Sequence, residues 1–261
     1  MCSSDLTVLR SHLEHDSLPW TNAGISGWVL DPDRKKMSKS KGNVVTPMGL
    51  LEEHGSDGVR YWAASGRPGT DTAFDPSQMK VGRRLSIKIL NAARFALLQA
   101  EPRGAIVEPL DRGMLTALAR LVEESTVHLE QYDYARVLER TESFFWTFCD
   151  DYLELVKARR YGDFGAEGAA SANSAMLVAL STMLRLFAPY LVFVSEEVWS
   201  WWRPGSVHTA PWPTAAEVVA PIAGADEQAA VVRDATQAAL AEVRRVKSIL
   251  KKPTKIGRAH V

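Results

Sequence analysis

The sequence predicts a mainly α-helical protein whose C-terminal half folds as a helical bundle. Four long segments after residue 77 carry apolar residues at the three- and four-residue spacing of helices that bury one face. Proline and glycine separate these segments, as expected between antiparallel helices joined by short links. Hydrophobic residues make up 46% of the 261 residues, enough for a sizeable core in one or two domains.

The N-terminal part alternates short elements with turns. Residues 7–15 fit a short helix. The apolar run 25–30 is bounded by turn residues and predicts a β-strand. Residues 34–45 combine lysine, serine and glycine without periodicity, so they are expected to form the loop that follows this strand.

Two short helices are predicted after the loop. Thr46 suits the N-cap position, Pro47 the first helical position and Gly55 the helix stop. Asp57 is expected to cap the second short helix. Residues 66–77 are rich in glycine and proline and predict an irregular connector.

The long helices follow in order, and their apolar stripes are interpreted as core. Asp111 is expected to open the second of them, and Pro189 to end or kink the fourth. The predicted ranges are 78–99, from 111 to about 129, 133–160, and from about 171 to 189. A more polar helix is expected at 226–255.

Composition excludes several classes of protein. The formal net charge is zero, so any nucleic-acid-binding surface must be local. Two cysteines, Cys2 and Cys149, form neither a disulfide framework nor a zinc site. No uninterrupted apolar run reaches the roughly 20 residues that span a bilayer, and the start lacks the features of a signal peptide. We therefore expect a cytoplasmic protein without a membrane partner.

The most informative segment is the run Lys36-Met37-Ser38-Lys39-Ser40, which Lys41, Gly42 and Asn43 continue. Lysines supply mobile positive charges, and serines supply hydroxyl donors. Gly42 lets the backbone bend and approach a ligand. Such a loop is suited to holding a polyphosphate, although it lacks the spacing of a Walker loop.

This run resembles the KMSKS loop of class I aminoacyl-tRNA synthetases and has the same residue at all five positions. The sequence that follows the run resembles the valine-, isoleucine- and leucine-specific branch of these synthetases, and most closely its valine-specific members. The similarity extends from about Thr7 to about Pro213. The segments that carry it are 46–65, 69–75, 82–95, 148–157 and 187–199.

The resemblance implies a domain organisation. Residues 1–65 are similar to the C-terminal part of a Rossmann-like catalytic domain that carries the loop. Residues 66–109 are similar to the connector helix region, and residues 110–213 to the anticodon-binding helical bundle. Residues 214–261 then form a polar helix that leads toward a C-terminal arm.

The resemblance also implies an activity: ATP-dependent ligation of valine to its tRNA through valyl-adenylate. ATP is implied as a substrate, together with Mg²⁺. Lys36 and Lys39 are expected to be catalytic because they contact the phosphates, Lys39 the more strongly. The whole run, including Met37, Ser38 and Ser40, is expected to bind ATP.

The first of the long predicted helices, at 78–99, is basic, and we expect four of its residues to bind tRNA through phosphate contacts. A plain solvated face is the alternative. The four residues are Arg83, Arg84, Lys88 and Arg94. Trp201 and Trp202 either stack on unpaired bases or close the end of the bundle. The six histidines show no ligand spacing, so no metal site is expected.

Two alternatives stay open at this point. Instead of the valine-specific group, the chain could belong to the isoleucine- or leucine-specific enzymes of the branch, or it could be a non-catalytic tRNA-binding helical module. The histidine-containing ATP element, the amino-acid pocket and the editing domain of the family have no counterpart here, so we expect a fragment that is inactive alone. Residues 1–6 and 256–261 back-translate to adapter-like strings and are expected to be sequencing artefacts.

Overall fold

The computed structural model describes residues 3–98, 101–224 and 228–251, without the side chains of Ser3 and Lys39. Within these ranges the chain is mainly helical, which confirms the predicted fold class. Residues 256–261 lie outside the described residues, as does the end of the helix predicted at 226–255.

The N-terminal segment contains one exposed helix and very little sheet. Helix α1 spans Ser3–His15 and includes the helix predicted at 7–15. Strand β1 is only Val29–Leu30, and it pairs in parallel with β2, Thr72–Ala73. The strand predicted at 25–30 is therefore mostly irregular, because only its last two residues find a ladder partner among the described residues.

Helix α2, Pro47–Ala64, joins the two short helices that the sequence predicts. It is kinked at Gly55, whose φ of 74° and ψ of 161° are non-helical and favour glycine. Thr46 occupies the N-cap position, but its side chain makes no capping hydrogen bond.

The role predicted for Asp57 is wrong. Its carboxylate does not cap α2; it accepts hydrogen bonds from the backbone N–H groups of Phe193 (3.1 Å) and Val194 (2.8 Å). These donors are among the first, unpaired N–H groups of a later helix, α8, Val192–Ser200. The carboxylate thus joins α2 to the bundle, because it satisfies donors more than 130 residues away in the chain.

The remaining helices are close to the predicted ones. Asp75 caps α3 by accepting from Ser77 N–H at 2.8 Å. The third predicted segment of the bundle, 133–160, is interrupted by one π-helical turn, Phe148–Tyr152. The bounds are α3 Pro76–Leu97, α4 Pro109–Glu130, α5 Tyr134–Thr147, α6 Leu153–Arg160, α7 Ala166–Phe187, α9 Ala215–Val219 and α10 Ala229–Ile249.

The core lies between α3, α4, α5 and α7 and is apolar on all four helices. Phe145 and Phe187 meet edge to face at its centre, with ring centroids 5.7 Å apart. Helix α10 packs along α4 and buries Ala229 and Leu240. The polar helix of the 214–261 segment is therefore part of the packed bundle.

Helix α7 is the most apolar element. It has the length and mean hydropathy of a membrane-spanning helix, but 83% of its apolar window is buried within the protein. Helices that are apolar on all sides are found in the cores of larger folds as well as in membranes. Its burial among the other helices assigns α7 to the core of the bundle.

Asp111 does not open a helix as predicted, because α4 begins two residues earlier at Pro109. Its carboxylate is fully buried and forms an ion pair with Arg159, at 2.6 Å between Oδ1 and Nη2. The acidic residue that the sequence suggests as a cap is instead a polar centre of the bundle.

Candidate functional site

The lysine- and serine-rich loop lies between β1 and α2. An isolated antiparallel bridge between Leu30 and Lys36 closes the turn Asp31–Lys35 and fixes where the loop begins. The loop then forms a 3₁₀ turn at Lys39–Lys41, closed by a 3.1 Å hydrogen bond from Lys41 N–H to the Ser38 carbonyl. Gly42, with φ of 69°, reverses the chain after this turn.

Two side chains outside the five-residue motif hold the loop in place. Asp31 Oδ1 accepts from the Lys35 N–H at 2.7 Å, and Oδ2 accepts from the Asn43 amide at 2.8 Å. Asn43 in turn accepts from the Ser38 N–H at 3.0 Å and donates to the Lys36 carbonyl at 3.3 Å. We call Asp31 and Asn43 the loop clamp, because they bond each other and Asn43 bonds the first and third residues of the motif.

The clamp has a charge state that suits neutral pH. The Lys35 backbone hydrogen bond, and then the Asn43 side chain, lower the pKa of Asp31 below its ordinary value of 3.8. A carboxylate whose folded pKa is lowered contributes stability above its unfolded pKa and loses it as pH falls through the folded value. The clamp is therefore at full strength at neutral pH and weakens only in acid.

The side chains of the motif lie around this clamped backbone. The ammonium group of Lys36 is exposed and rests 3.3 Å from the centroid of the Trp28 ring, as in a cation–π contact. The hydroxyl oxygens of Ser38 and Ser40 are 3.2 Å apart. Met37 is half-buried beside them. The side chain of Lys39 lies outside the described residues; its backbone begins the 3₁₀ turn.

This arrangement is suited to bind phosphate oxygens. An exposed lysine and neighbouring hydroxyls supply donors on one short segment, and a lysine on a loop is a mobile point charge. The clamp restrains the backbone, so less conformational entropy is lost when a ligand is bound. Within the described residues no carboxylate is hydrogen-bonded or ion-paired to Lys36, whose charge remains available for a ligand.

Replacing Asn43 by alanine is expected to loosen the loop without unfolding the protein. The change removes the Asn43 bonds to Asp31, Ser38 and Lys36, and we expect a loss of about 1–2 kcal/mol of local stability. Hydrogen exchange of the Ser38 amide should become about 5- to 30-fold faster. Asn22→Ala is the matched control, because Asn22 bonds only its neighbour Thr21 among the described residues. Unchanged exchange at Ser38 would contradict the clamp.

Two of the four residues predicted to bind tRNA are engaged within the protein. The Arg83 guanidinium donates to the Glu53 carbonyl, and Lys88 forms a 3.0 Å ion pair with Asp150. Both lie at the flanks of the exposed face of α3. Their side chains tie α3 to its neighbours, so their predicted role in tRNA binding stays a prediction.

The other two are on the exposed face itself. Arg84 and Arg94 are exposed, and neither has a carboxylate partner among the described residues. Arg94 lies over the Trp201 ring, with 5.8 Å between the guanidinium carbon and the ring centroid. The structure thus brings one predicted arginine together with one of the tryptophans singled out from the sequence.

A metal site or a reactive thiol is not visible in the part of the chain that the structure describes. No group of three or more histidine, cysteine, aspartate or glutamate side chains is arranged there to hold a metal ion. Cys149 is buried, and burial raises the pKa of its thiol to about 12, which keeps it protonated.

The sequence analysis missed two residues of the loop site, Asp31 and Trp28. Asp31 follows β1 directly and begins the Asp-Pro-Asp turn, which is a signal for a side chain that bonds its own turn. A hairpin-like turn separates Trp28 from Lys36 in the sequence, and no local pattern predicts the cation–π contact between them. Asn43 continues the motif in the sequence, but no local pattern predicts that its amide bonds both the Lys36 carbonyl and the Ser38 N–H.

Family models match both parts of the chain. The model described as "Anticodon-binding domain of tRNA ligase" matches residues 111–260. The model described as "tRNA synthetases class I (I, L, M and V)" matches residues 4–75, which include the loop and its clamp.

Curated relatives match nearly the whole chain. A valine–tRNA ligase of Thermobifida fusca (strain YX) is 60% identical over 248 residues, 93% of this chain and 28% of the relative. A valine–tRNA ligase of Salinispora tropica is 62% identical over 226 residues, 84% of this chain and 26% of the relative. The chain thus spans about a quarter of the length of the curated relatives it matches.

Among solved structures, the ternary complex "Agrobacterium radiobacter K84 agnB2 LeuRS-tRNA-LeuAMS" has the same fold. Its TM-score with this chain is 0.63 at 23% sequence identity, covering 83% of this chain and 28% of that one. At this identity the similarity concerns the fold alone. It agrees with a helical bundle placed after the loop and α2.

Proposed function

We propose a function for this chain from the premise that it belongs to the tRNA ligases that carry this anticodon-binding domain. As part of a valine–tRNA ligase, it supplies the loop that binds the phosphates of ATP and the helical bundle that holds the tRNA. The observation that carries the proposal is the intact motif Lys36–Ser40, clamped by Asp31 and Asn43 with the charge of Lys36 exposed.

The curated relatives confirm the valine-specific resemblance over the isoleucine- and leucine-specific alternatives. The activity that we propose has two steps. The valine carboxylate attacks the α-phosphate of ATP and releases pyrophosphate. A ribose hydroxyl at the 3′ end of the tRNA then takes valine from the adenylate and releases AMP. The domain organisation 1–65, 66–109, 110–213 and 214–261 is part of the same proposal.

The first step concentrates negative charge on the departing pyrophosphate. Lys36 and Lys39 stabilise that charge more strongly in the transition state than in bound ATP, because the lysines approach it as the bond breaks. Ser38 and Ser40 donate hydrogen bonds to phosphate oxygens, and Met37 packs beneath the loop. In this mechanism the protein forms no covalent bond to the substrates; its residues position ATP and stabilise the charge of the transition state.

Mg²⁺ that accompanies ATP is carried by the nucleotide in this proposal. Magnesium in such sites is bound by one or two carboxylates together with substrate phosphates. The contribution that we propose for this chain is the lysine charge. The proposal further places the enzyme in the cytoplasm, where tRNA is charged.

A chimera tests the proposal, because the chain spans 28% of the Thermobifida fusca relative. This chain replaces the matching segment of that enzyme, and valine-dependent exchange of labelled pyrophosphate into ATP is measured. We expect exchange, and charging of tRNA with valine, at rates near those of the parent enzyme. The control chimera has glycine and serine in place of residues 36–40.

The control chimera should bind tRNA but lose most of the exchange activity. A folded chimera that retains the intact motif and binds tRNA, but supports no exchange, would contradict the proposed catalytic part. That outcome would favour the non-catalytic tRNA-binding module instead.

A further inference from the structure

The exposed lysine at the start of the motif, Lys36, lies against an aromatic ring. Its ammonium nitrogen is 3.3 Å from the centroid of the Trp28 ring, the shortest cation–π contact among the described residues. The other such contacts there are between 4.4 and 5.9 Å. Because no carboxylate of the described residues is hydrogen-bonded or ion-paired to Lys36, the Trp28 ring is the partner of its charge in that part of the chain.

The backbone that carries the ring is fixed from two sides. The Trp28 N–H donates to Asp71 Oδ1 at 2.7 Å, and the Trp28 carbonyl accepts from the Thr72 N–H at 2.9 Å. A Cβ atom at Gly27 would lie 2.1 Å from the Thr70 carbonyl oxygen, so only glycine lets the two segments run this close together. None of these contacts involves Lys36, so the ring keeps its place whether or not the lysine is on it.

The backbone of the lysine is fixed as well. The bridge to Leu30 and the 3.3 Å bond from Asn43 to the Lys36 carbonyl hold it beside the ring. The contact therefore orders only the torsions of the lysine side chain, which keeps its entropic cost low. For the same reason the flexible side chain can leave the ring without any movement of the backbone.

The contact is of a strength that a phosphate group can overcome. The Trp28 ring is 59% exposed, and a cation–π contact at an exposed site is weaker than a hydrogen bond between two charged groups. The neighbouring Lys35 differs, because its ammonium is 3.9 Å from the Asp33 carboxylate. A ring holds the Lys36 charge without neutralising it, so the lysine is restrained but can exchange the ring for an anionic ligand.

We propose that Trp28 is a positioning residue of the reaction: its ring is the resting partner of Lys36 and competes with pyrophosphate for the lysine. The ammonium is on the ring in the free loop and moves to the phosphates as the bond to the α-phosphate breaks. It returns to the ring afterwards, which favours the release of pyrophosphate. This inference rests on the proposed function, in which Lys36 contacts the phosphates.

Competition predicts that removing the ring makes the enzyme faster at its first step. In the Thermobifida fusca chimera, Trp28→Leu should speed single-turnover adenylate formation about two- to fivefold, the usual strength of a cation–π contact at an exposed site. The inhibition constant of pyrophosphate should fall by the same factor, because the lysine no longer leaves a partner to bind it. Trp28→Phe keeps a ring that attracts cations less strongly, and both of its values should lie in between.

A double-mutant cycle separates competition from support of the loop. In the Lys36→Ala background, Trp28→Leu should change neither the rate nor the inhibition constant, because no ammonium is left to compete for. A ring that only supported the loop would slow the reaction in both backgrounds. Trp20→Leu is the matched control, since Trp20 is 43% exposed and no cation of the described residues lies over its ring. It should behave like the parent chimera, and thermal unfolding checks that every variant is folded.

The contact itself is observable in the full chain without a ligand. The eight tryptophans are labelled with 5-fluorotryptophan, and Trp28→Phe identifies the ¹⁹F resonance of Trp28. Lys36→Met should shift this resonance and leave those of the other tryptophans in place, because the ammonium lies over the Trp28 ring alone.

The outcomes separate this inference from the proposed function. An adenylate-formation rate that Lys36→Ala leaves unchanged would remove Lys36 from the chemistry and overturn its proposed role together with the inference. If Lys36→Ala slows the reaction but Trp28→Leu leaves the rate unchanged or lowers it, only the inference is overturned. A Trp28 resonance that does not respond to Lys36→Met would also overturn the inference alone, because the contact would be absent in solution.

Discussion

Replacing Asp111 by alanine is expected to destabilise the helical bundle by about 3–5 kcal/mol. The carboxylate is fully buried and accepts four hydrogen bonds from three side chains. Arg159 donates two of them, at 2.6 and 2.7 Å, in a bidentate pair. Tyr152 and Ser171 donate the others, at 2.8 and 2.7 Å.

The cost is large because the partners stay buried. Burial disfavours the charged form of Arg159, yet the hydrogen bonds and charge of Asp111 together raise the pKa of this guanidinium above its ordinary value. Without Asp111 the guanidinium would keep a 3.1 Å bond to the Gly168 carbonyl and the weaker influence of Glu108, but it would lose its hydrogen-bonded carboxylate partner. The Tyr152 hydroxyl would lose its acceptor as well.

Ser171 extends the effect to the chain before α4. Its hydroxyl oxygen accepts from the backbone N–H groups of Val107 (3.1 Å) and Glu108 (3.2 Å) while its proton is given to Asp111. The cluster therefore ties together α4, α6, α7 and the segment that enters α4. Its loss should lower the cooperativity of unfolding as well as the midpoint.

Urea unfolding followed by circular dichroism measures this prediction. The double variant Asp111→Ala/Arg159→Met should be less destabilised than Asp111→Ala alone, because no buried charge is left without a partner. Glu14→Ala is the surface control: it breaks the exposed pair with Arg10 and should change stability by less than about 1 kcal/mol. An Asp111→Ala chain as stable as the parent would refute the structural role of the cluster.

Local sequence signals predicted the helices well, because each signal acts within a few residues. The apolar stripe placed α3 at 78–99, within two residues of its observed bounds Pro76–Leu97. Pro189 ended α7 as expected, since the helix stops at Phe187. Such features need no knowledge of the rest of the fold.

The failures all concern contacts between distant residues. Asp57 and Asp111 each stand at a position where an aspartate commonly caps its own helix. In the fold, one caps α8 and the other is buried against Arg159, and only the packing of the helices brings these partners together. The strand expected at 25–30 is short for a similar reason, since a parallel ladder needs a partner far along the chain.

At the loop site, too, local signals were predictable and contacts between separate segments were not. The motif Lys36–Ser40 was recognisable because its chemistry is written in five consecutive residues. The loop clamp was not recognisable, because Asp31 and Asn43 flank the motif and only the folded backbone brings them within hydrogen-bonding distance of each other. The basic character of α3 was predictable from the sequence, whereas the meeting of Arg94 with Trp201 required the packing of α8.

Replacing Lys39 by alanine is expected to slow adenylate formation by about 2–4 kcal/mol in the activation barrier, or roughly 30- to 1,000-fold. The backbone of Lys39 begins the 3₁₀ turn of the clamped loop. The N–H of the preceding residue, Ser38, donates a hydrogen bond to Asn43. In the proposed mechanism, a lysine at this position meets the charge that grows on pyrophosphate as the bond breaks. Ground-state binding of valine should change little, because the interaction is made mainly in the transition state.

Pre-steady-state formation of valyl-adenylate in the Thermobifida fusca chimera measures this effect. Lys36→Ala should show a smaller loss, since part of the Lys36 interaction energy is already used in its 3.3 Å contact with Trp28. Lys35→Ala is the neighbouring control: its ammonium is exposed and 3.9 Å from Asp33, and the alanine keeps the backbone bond to Asp31. Equal rates for Lys39→Ala and Lys35→Ala would remove the catalytic role of Lys39, whereas a loss confined to valine affinity would assign it to ground-state binding.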